Sequence, residues 1–209
     1  MRAMAPLTSI GPMASHVVKL RPPQSGGGLS LRQALAARRS VREFASTALR
    51  WDQIGQLLWA AQGITHDEDK RTAPSAGATY PLELYVATAD GLFRYRPDRH
   101  EVARVTARDV RRGVQRAAGG QDAINAPAVF VFAAVPARTA ARYGDRAMRY
   151  VQIETGHAAQ NLLLEAVALG LGAVPVGAFS DADLHQVLGL PSDQVVVYIV
   201  PVGHTRSQE

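Results

Sequence analysis

Two continuous apolar runs constrain the fold of this 209-residue chain more than any other feature. They cover residues 128–135 and 195–202, and apolar runs of this length without polar alternation predict strands that are buried on both faces. Between them the sequence predicts a long helix over about 146–171 and a shorter one over about 180–189. Strands separated by helices in this way predict an α+β fold, in which helices cover a central mixed sheet.

Helix caps and turn residues predict the elements around this centre. Ser30 and Gln33 form a capping-box pattern, so a helix begins there and runs to about Arg38. Glycine and aspartate mark other boundaries, because they favour turns and helix ends. The remaining predictions are a helix over residues 51–61, strands over 83–89 and 92–96, a helix capped within 106–109 that ends at 119–120, and a short strand over 173–176.

The N-terminal segment differs in composition from the rest of the chain. Residues 1–29 are rich in proline and glycine, which predicts a flexible leader or an arm laid over the surface. Residues 30–209 are long enough to form a single domain with its own core. No apolar run reaches membrane-spanning length, and the leader lacks the apolar stretch of a signal peptide. We therefore expect a cytoplasmic protein that has no membrane partner.

Charge and side-chain chemistry narrow the function classes. The net charge of +5 comes from arginine almost entirely, since Lys19 and Lys70 are the only lysines. The arginines are scattered, without a long basic run or interleaved aromatic residues, so we do not expect a nucleic-acid partner. Acidic ligands such as phosphate fit this distribution better. Cysteine is absent and the six histidines show no ligand spacing, so neither a thiol nucleophile nor a metal site is expected.

A cluster of cations at the end of the first predicted helix is a candidate phosphate site. It consists of Arg38, Arg39, Ser40 and Arg42. Guanidinium groups and short hydroxyls are the donors that suit a phosphate. The alternative interpretation is a solvated helix end, where cations interact favourably with the helix dipole.

Two loops made of small residues suit a flat ligand. The first comprises Pro74, Ser75, Ala76, Gly77 and Ala78, and the second comprises Pro175, Val176, Gly177 and Ala178. In the first loop the hydroxyl and the backbone amides can donate hydrogen bonds to ring carbonyls, and no bulky side chain blocks approach. The alternatives are an ordinary helix-to-strand connection and an ordinary crossover. Together with the arginine cluster, these loops suggest a phosphate-bearing aromatic cofactor.

The order of these segments resembles the FMN-dependent nitroreductase family. Within it the chain is similar to the SagB-type dehydrogenases, the azoline oxidases of thiazole- and oxazole-modified peptide pathways. The matching stretches fall within residues 29–203 and are 37–44, 56–63, 72–85, 143–150, 156–162, 169–179 and 201–203. The resemblance implies a nitroreductase-like α+β fold and an intertwined homodimer with FMN at the subunit interface. Residues 158–171 of the long helix would then form the dimer core.

The resemblance also implies roles for the candidate residues. The arginine cluster within residues 38–42 would hold the FMN phosphate, with Arg206 as a further cation. The loop over 74–78, which in this family normally comes from the partner chain, would lie along the flavin. The loop over 175–178 would place backbone amides near the flavin N5 atom.

A pair of residues departs from the pattern of the SagB-type branch. That branch carries a Lys-Tyr pair thought to help proton removal, and Arg142 and Tyr143 stand at this position here. An arginine stays protonated in proteins and cannot act as a general base, whereas a tyrosine hydroxyl can take part in proton transfer. The alternative interpretation of the pair is the start of a surface helix.

The resemblance implies an FMN-dependent oxidoreductase that transfers hydride between flavin N5 and a small-molecule or peptide-heterocycle substrate. Two alternatives stay open at this point. One is an NAD(P)H-dependent nitro or quinone reductase, and the other is a non-catalytic flavin-binding partner subunit.

Overall fold

A computed structural model describes residues 16–65 and 70–206 of the chain. Its strands are β1 (Val17–Lys19), β2 (Leu82–Thr88), β3 (Gly91–Arg96), β4 (Glu101–Thr106), β5 (Ala128–Ala134), β6 (Leu171–Ala173) and β7 (Val195–His204). Its helices are α1 (Leu31–Ala37), α2 (Trp51–Gln62), α3 (Arg111–Ala117), α4 (Pro136–Tyr143), α5 (Ala147–Ala168) and α6 (Asp181–Leu188). Short 3₁₀ turns cover Ala76–Ala78, Asp122–Ile124 and Gly144–Arg146.

The strands form one seven-stranded sheet in the order β1-β4-β3-β2-β5-β7-β6. Neighbouring strands pair antiparallel throughout this order. Parallel pairing within the described ranges is confined to one isolated bridge, between Ser40 and Ala173. The sheet and its covering helices confirm the predicted α+β class, whereas the prediction of a mixed sheet is wrong, because its strands pair antiparallel.

Helices cover both faces of the sheet, and β5 lies near its centre. Phe130 and Phe132 pack into the core formed with α2 and α5, whereas Val129 and Val131 pack into the core formed with α3 and α6. Burying each of these phenylalanine side chains contributes roughly 1.5–3 kcal/mol. The uninterrupted apolar run in the sequence therefore reflects a strand that faces a core on each side.

The predicted helix caps are confirmed at two places. Ser30 caps α1 through a reciprocal capping box with Gln33, and the Ser180 side chain accepts a hydrogen bond from the Asp183 amide at the start of α6. The predicted cap of the third helix is wrong, because the residue before α3 is Val110 and makes no side-chain cap.

Several element boundaries differ from the prediction. The long helix ends at Ala168, and Leu171 already begins β6. The predicted strand over 173–176 is interrupted after Ala173, and Val176 rejoins the sheet only through an isolated bridge to Ile199. Strands β1 and β4 and helix α4 were not predicted. None of the helices in the described part of the chain is both long and apolar enough to cross a membrane.

Candidate functional site

The arginine cluster runs alongside β6 after leaving the end of α1. Ser40 forms the parallel bridge with Ala173, and the Val41 amide donates a hydrogen bond of 3.0 Å to the Ala173 carbonyl oxygen. A Cβ atom added to Gly172 would lie 2.7 Å from Val41 Cγ1. The close approach of this segment to the strand therefore depends on the absence of a side chain at position 172.

Arg206 reaches the same region from the end of β7. Thr205 forms an antiparallel bridge with Phe44, and the Ala45 amide donates a hydrogen bond of 2.9 Å to the His204 carbonyl oxygen. This pairing places Arg206 beside the residues that directly follow Arg42. Arg206 also lines an open cleft of about 1130 Å³. The strand pairing thus places the predicted C-terminal cation next to the segment that follows the arginine cluster, whereas the cleft that Arg206 lines contains Glu43 and no member of the cluster.

The four residues of the cluster do not have equivalent environments. Arg38 is half-buried, and the side chains of Ser40 and Arg42 are exposed. Arg39 turns back onto its own helix, where its Nη1 atom donates to the carbonyl oxygens of Ala36 at 2.9 Å and Arg38 at 2.7 Å. These carbonyl groups belong to the helix end and need such donors. The helix-end interpretation therefore applies to Arg39.

The loop over 175–178 begins two residues after the bridge to Ser40. The Val176 amide donates to the Ile199 carbonyl oxygen at 2.8 Å, and the Ile199 amide returns a bond of 3.1 Å. The Gln121 Nε2 atom donates to the Ala178 carbonyl oxygen at 3.0 Å. Gly177 and Ala178 are exposed. Strand β6 and the residues that follow it therefore hold this loop and the arginine cluster in one region of the folded molecule.

The loop over 74–78 is held by a different part of the molecule. The Tyr80 amide donates a hydrogen bond of 2.9 Å to Ser75 Oγ, and the Thr79 and Thr139 hydroxyls lie 2.9 Å apart. Gly77 and Ala78 have φ values of +60° and +53°, in the left-handed region that is unfavourable for residues with a Cβ atom. These contacts fix the loop against α4.

Arg142 and Tyr143 lie directly on this loop. They form the C-terminal end of α4, so the alternative of a helix start is wrong. Arg142 Nη1 donates to the Gly77 carbonyl oxygen at 3.2 Å. The Tyr143 ring packs on the Tyr150 ring with centroids 4.7 Å apart. The structure therefore joins two features, the small-residue loop and the Arg-Tyr pair, that the sequence presents 65 residues apart.

A buried carboxyl group behind the loop was missed by the sequence analysis. Glu154 on α5 is only 3% exposed, and its Oε1 atom has no hydrogen-bond partner among the described residues. Burial raises the pKa of Glu154 to about 7, although a hydrogen bond from Ser75 and the charge of Arg71 both act to lower it. Glu154 precedes the apolar part of the predicted helix, which begins after His157, so the sequence carried no signal of its burial.

The predicted site residues thus fall into two groups. Residues 38–42, 175–178 and 206 rest on β6 and β7, whereas residues 74–78, 142 and 143 rest on α4 and α5. No hydrogen bond within the described part of the chain joins the two groups.

Comparison with known proteins decides the family. The model of the nitroreductase family matches residues 35–204. The chain belongs to the nitroreductase family. A protein of Methanocaldococcus jannaschii that is described as a nitroreductase is 42% identical to this chain over 182 residues. The match covers 84% of this chain and 91% of the relative.

Solved structures of the nitroreductase family share the fold. A protein described as a nitroreductase from Ralstonia eutropha JMP134 superimposes with a TM-score of 0.86 at 29% identity, over 99% of this chain and 97% of that one. The NADPH:FMN oxidoreductase of Vibrio harveyi, solved in complex with NAD⁺, gives a TM-score of 0.64 at 22% identity over 85% of this chain and 69% of that one. None of these descriptions names the SagB-type branch, which stays a prediction.

The donor set of this nitroreductase-family chain fits a flavin mononucleotide. The exposed Ser40 and Arg42 side chains, with the half-buried Arg38, offer the hydroxyl and guanidinium donors that bind phosphate. A Cβ atom at Gly177 would meet only Tyr198, at 3.5 Å, so the backbone of the second loop is open on its exposed side. A planar ring can reach main-chain amides only where no side chain stands in front of the backbone.

Proposed function

We propose that this nitroreductase-family chain is an FMN-dependent oxidoreductase whose substrate is a small molecule or a peptide heterocycle. The observation that carries the proposal is the bridge between Ser40 and Ala173. It holds the arginine cluster beside the strand that leads into the open loop over 175–178. A phosphate donor set and a set of accessible amides therefore occur together, as a nucleotide-sized flavin requires.

The residues of the chain would bind and orient the cofactor. Arg38, Ser40, Arg42 and Arg206 would hold the phosphate, and Arg39 would act mainly on the helix end. The amides of the exposed Gly177 and Ala178 would donate toward the ring edge near N5, because the Val176 amide already donates to the Ile199 carbonyl oxygen. When bound, FMN supplies the hydride acceptor and donor, while the protein supplies position and electrostatics.

A homodimer would bring the two groups of residues together. Leu31 and Leu35 on α1 are 65% and 54% exposed, and Met148 and Ile153 on α5 are 40% and 49% exposed. Exposed apolar side chains on two packed helices favour burial against a second copy. The loop over 74–78 of one protomer would then lie along the flavin held by its partner.

Reduction of a nitro or quinone compound with NAD(P)H is the reaction that the comparisons favour. The Methanocaldococcus jannaschii relative is named as a nitroreductase, and the Vibrio harveyi fold neighbour is an NADPH:FMN oxidoreductase that was solved with NAD⁺. Nicotinamide can transfer hydride by stacking on a flavin, so a separate dinucleotide-binding motif is not required.

Oxidation of a peptide heterocycle is the second candidate. It is favoured by the position of Tyr143, whose hydroxyl lies against Gly77 in the loop. In this reaction Tyr143 would hold the proton that leaves the substrate carbon, and Arg142 would stabilise the phenolate charge without accepting a proton itself.

The deciding experiment is a visible absorption spectrum of the purified protein, with identification of the chromophore released on denaturation. We expect FMN at about one per chain and bleaching of its absorption by NADPH under anaerobic conditions. Bound FMN that no nicotinamide reduces would favour the heterocycle oxidase or a non-catalytic flavin-binding subunit. A colourless protein that also fails to take up added FMN contradicts the proposal.

A further inference from the structure

A cavity of about 350 Å³ opens beside the loop over 74–78. It lies between the residues after α2, the paired ends of β2 and β3, and α4. Four arginines line it, Arg71, Arg94, Arg96 and Arg138, against two acidic residues, Glu83 and Asp98. We call this space the arginine cavity. Its volume falls at the lower end of the range for small-molecule sites.

Three of the four guanidinium groups already have carboxylate partners. Glu83 is 7% exposed and accepts from Arg138 at 2.6 Å and from Arg94 at 2.8 Å. Arg96 pairs with Glu101 at 3.1 Å. These carboxylates balance part of the positive charge and fix the walls of the cavity.

Arg71 is the exception. Within the described residues it forms no ion pair of 4.0 Å or less. Its Nη1 atom donates to Gln62 Oε1 at 2.9 Å, and its guanidinium carbon lies 4.5 Å from the centroid of the Tyr80 ring. Burial lowers the pKa of Arg71, although the nearby Glu83 and Glu154 carboxyl groups act to raise it. The guanidinium is therefore a partly buried cation that has acidic neighbours but no directly paired carboxylate among the described residues.

Two buried donors at this position also have no acceptor in the described part of the chain. They are Arg71 Nε and Gln62 Nε2, and the Gln62 side chain is only 1% exposed. An unsatisfied buried donor costs about 1–3 kcal/mol, more when it is charged. An oxyanion would supply both the missing hydrogen-bond acceptors and a direct ion pair for Arg71.

We propose that the arginine cavity binds a small anion whose carboxylate or phosphate group pairs with Arg71. A guanidinium binds either group through two parallel hydrogen bonds. Leu82, Leu84 and Tyr95 also line the cavity and give the body of an organic anion an apolar surface. This proposal does not rest on flavin binding, because its residues lie outside the arginine cluster and the 175–178 loop.

The test measures binding to the protein as purified, with any flavin retained. The probes are benzoate, inorganic phosphate and chloride at equal ionic strength, followed by thermal unfolding and titration calorimetry. Saturable binding and a rise in Tm with benzoate identify an organic acid as the ligand type, and the same response to phosphate alone identifies phosphate. Equal responses to all three salts, or none, overturn the proposal.

A substitution can place a carboxylate of the protein itself beside Arg71, where it would compete with the bound anion. Gln62→Glu replaces the amide nitrogen that lacks an acceptor with a carboxylate oxygen beside Arg71, with almost no change in shape. We expect the Tm without ligand to rise and binding of the responding anion to weaken at least about tenfold, the loss of one charge-assisted pair. The matched control is Gln186→Glu, an exposed residue of α6 on the other face of the sheet.

Equal weakening by Gln62→Glu and Gln186→Glu contradicts the proposal, because it shows a general charge effect. Arg71→Lys provides a second, independent variant. It keeps the charge but loses the planar fork, so it should also weaken binding about tenfold. Unchanged anion binding in a folded Arg71→Lys protein would place the anion elsewhere.

Discussion

Arg142 Nη1 donates a hydrogen bond of 3.2 Å to the carbonyl oxygen of Gly77. The neighbouring Tyr143 hydroxyl is close enough that a Cβ atom on Gly77 would stand 2.8 Å from it. The end of α4 and the small-residue loop therefore form one unit. A change on either side of this contact is expected to affect the loop that we propose to lie along the flavin.

Gly77→Ala should destabilise the protein by more than an ordinary glycine substitution. The φ of +60° alone costs an alanine about 1–2 kcal/mol, and the new methyl group collides with Arg142 and Tyr143. Gly189→Ala is the matched control, since Gly189 has a φ of +61° with no atom near the added Cβ. Urea unfolding of both variants measures the difference. Equal losses of stability would show that the contact of Gly77 with Arg142 and Tyr143 does not add to the cost of the substitution.

Gly172→Ala and Gly177→Ala should separate folding from flavin binding. A methyl group on Gly172 meets Val41 at 2.7 Å, so it should displace the arginine cluster, lower the Tm and weaken FMN binding. A methyl group on Gly177 meets only Tyr198 at an ordinary 3.5 Å. That variant should keep its Tm without FMN and bind FMN more weakly. Fluorescence titration with FMN, beside thermal unfolding, measures both effects.

Arg42→Gln should weaken FMN binding by about 10- to 100-fold, the range expected for loss of a hydrogen bond to a charged group. Riboflavin has no phosphate, so its affinity should stay nearly unchanged. Arg39→Gln is the control, because Arg39 donates to carbonyl oxygens of its own helix end. It should lower Tm more than it lowers FMN affinity. An equal loss of FMN affinity in both variants would assign Arg39 to the phosphate as well.

Glu154→Gln should change how stability depends on pH. The pKa of Glu154 is raised from 4.5 to about 7 by burial, so between these values the folded chain keeps a proton that the unfolded chain releases. Rising pH across this window therefore lowers the free energy of unfolding of the wild-type protein. The amide has no proton to lose, so the Tm of the variant relative to wild type should increase from pH 5 to pH 8. A difference that is constant with pH would contradict the shifted pKa.

The central strands could be predicted because their environment is uniform. Residues of β5 and β7 face a hydrophobic core on each side of the sheet. An uninterrupted apolar run is therefore enough to predict each of these strands. Strand β4 was missed because Glu101 and Arg104 interrupt it. Glu101 is nonetheless buried, since Arg96 on the neighbouring strand pairs with it. Only the hairpin brings these two charges together.

The candidate site could be predicted as separate segments but not as an arrangement. The arginine cluster and both loops have recognisable local chemistry, whereas the bridge from Ser40 to Ala173 joins positions far apart in the chain. The pKa of Glu154 likewise depends on Arg71 and Ser75, which come from the loop before β2 and act to lower it. Helix α4 begins with Pro136 at its first position, a start signal that the preceding apolar run concealed.

The outer strands of the sheet, β1 and β6, have three residues each. Short outer strands give another chain little backbone to pair with. Strand β1 covers Glu101 to Ala103 of the longer β4, which also carries the exposed Val105. Proteolytic trimming or an engineered start after residue 20 would uncover this six-residue strand, and the trimmed protein would gain a surface for strand-by-strand aggregation. Strand β1 therefore bears on the solubility and shelf life of the protein.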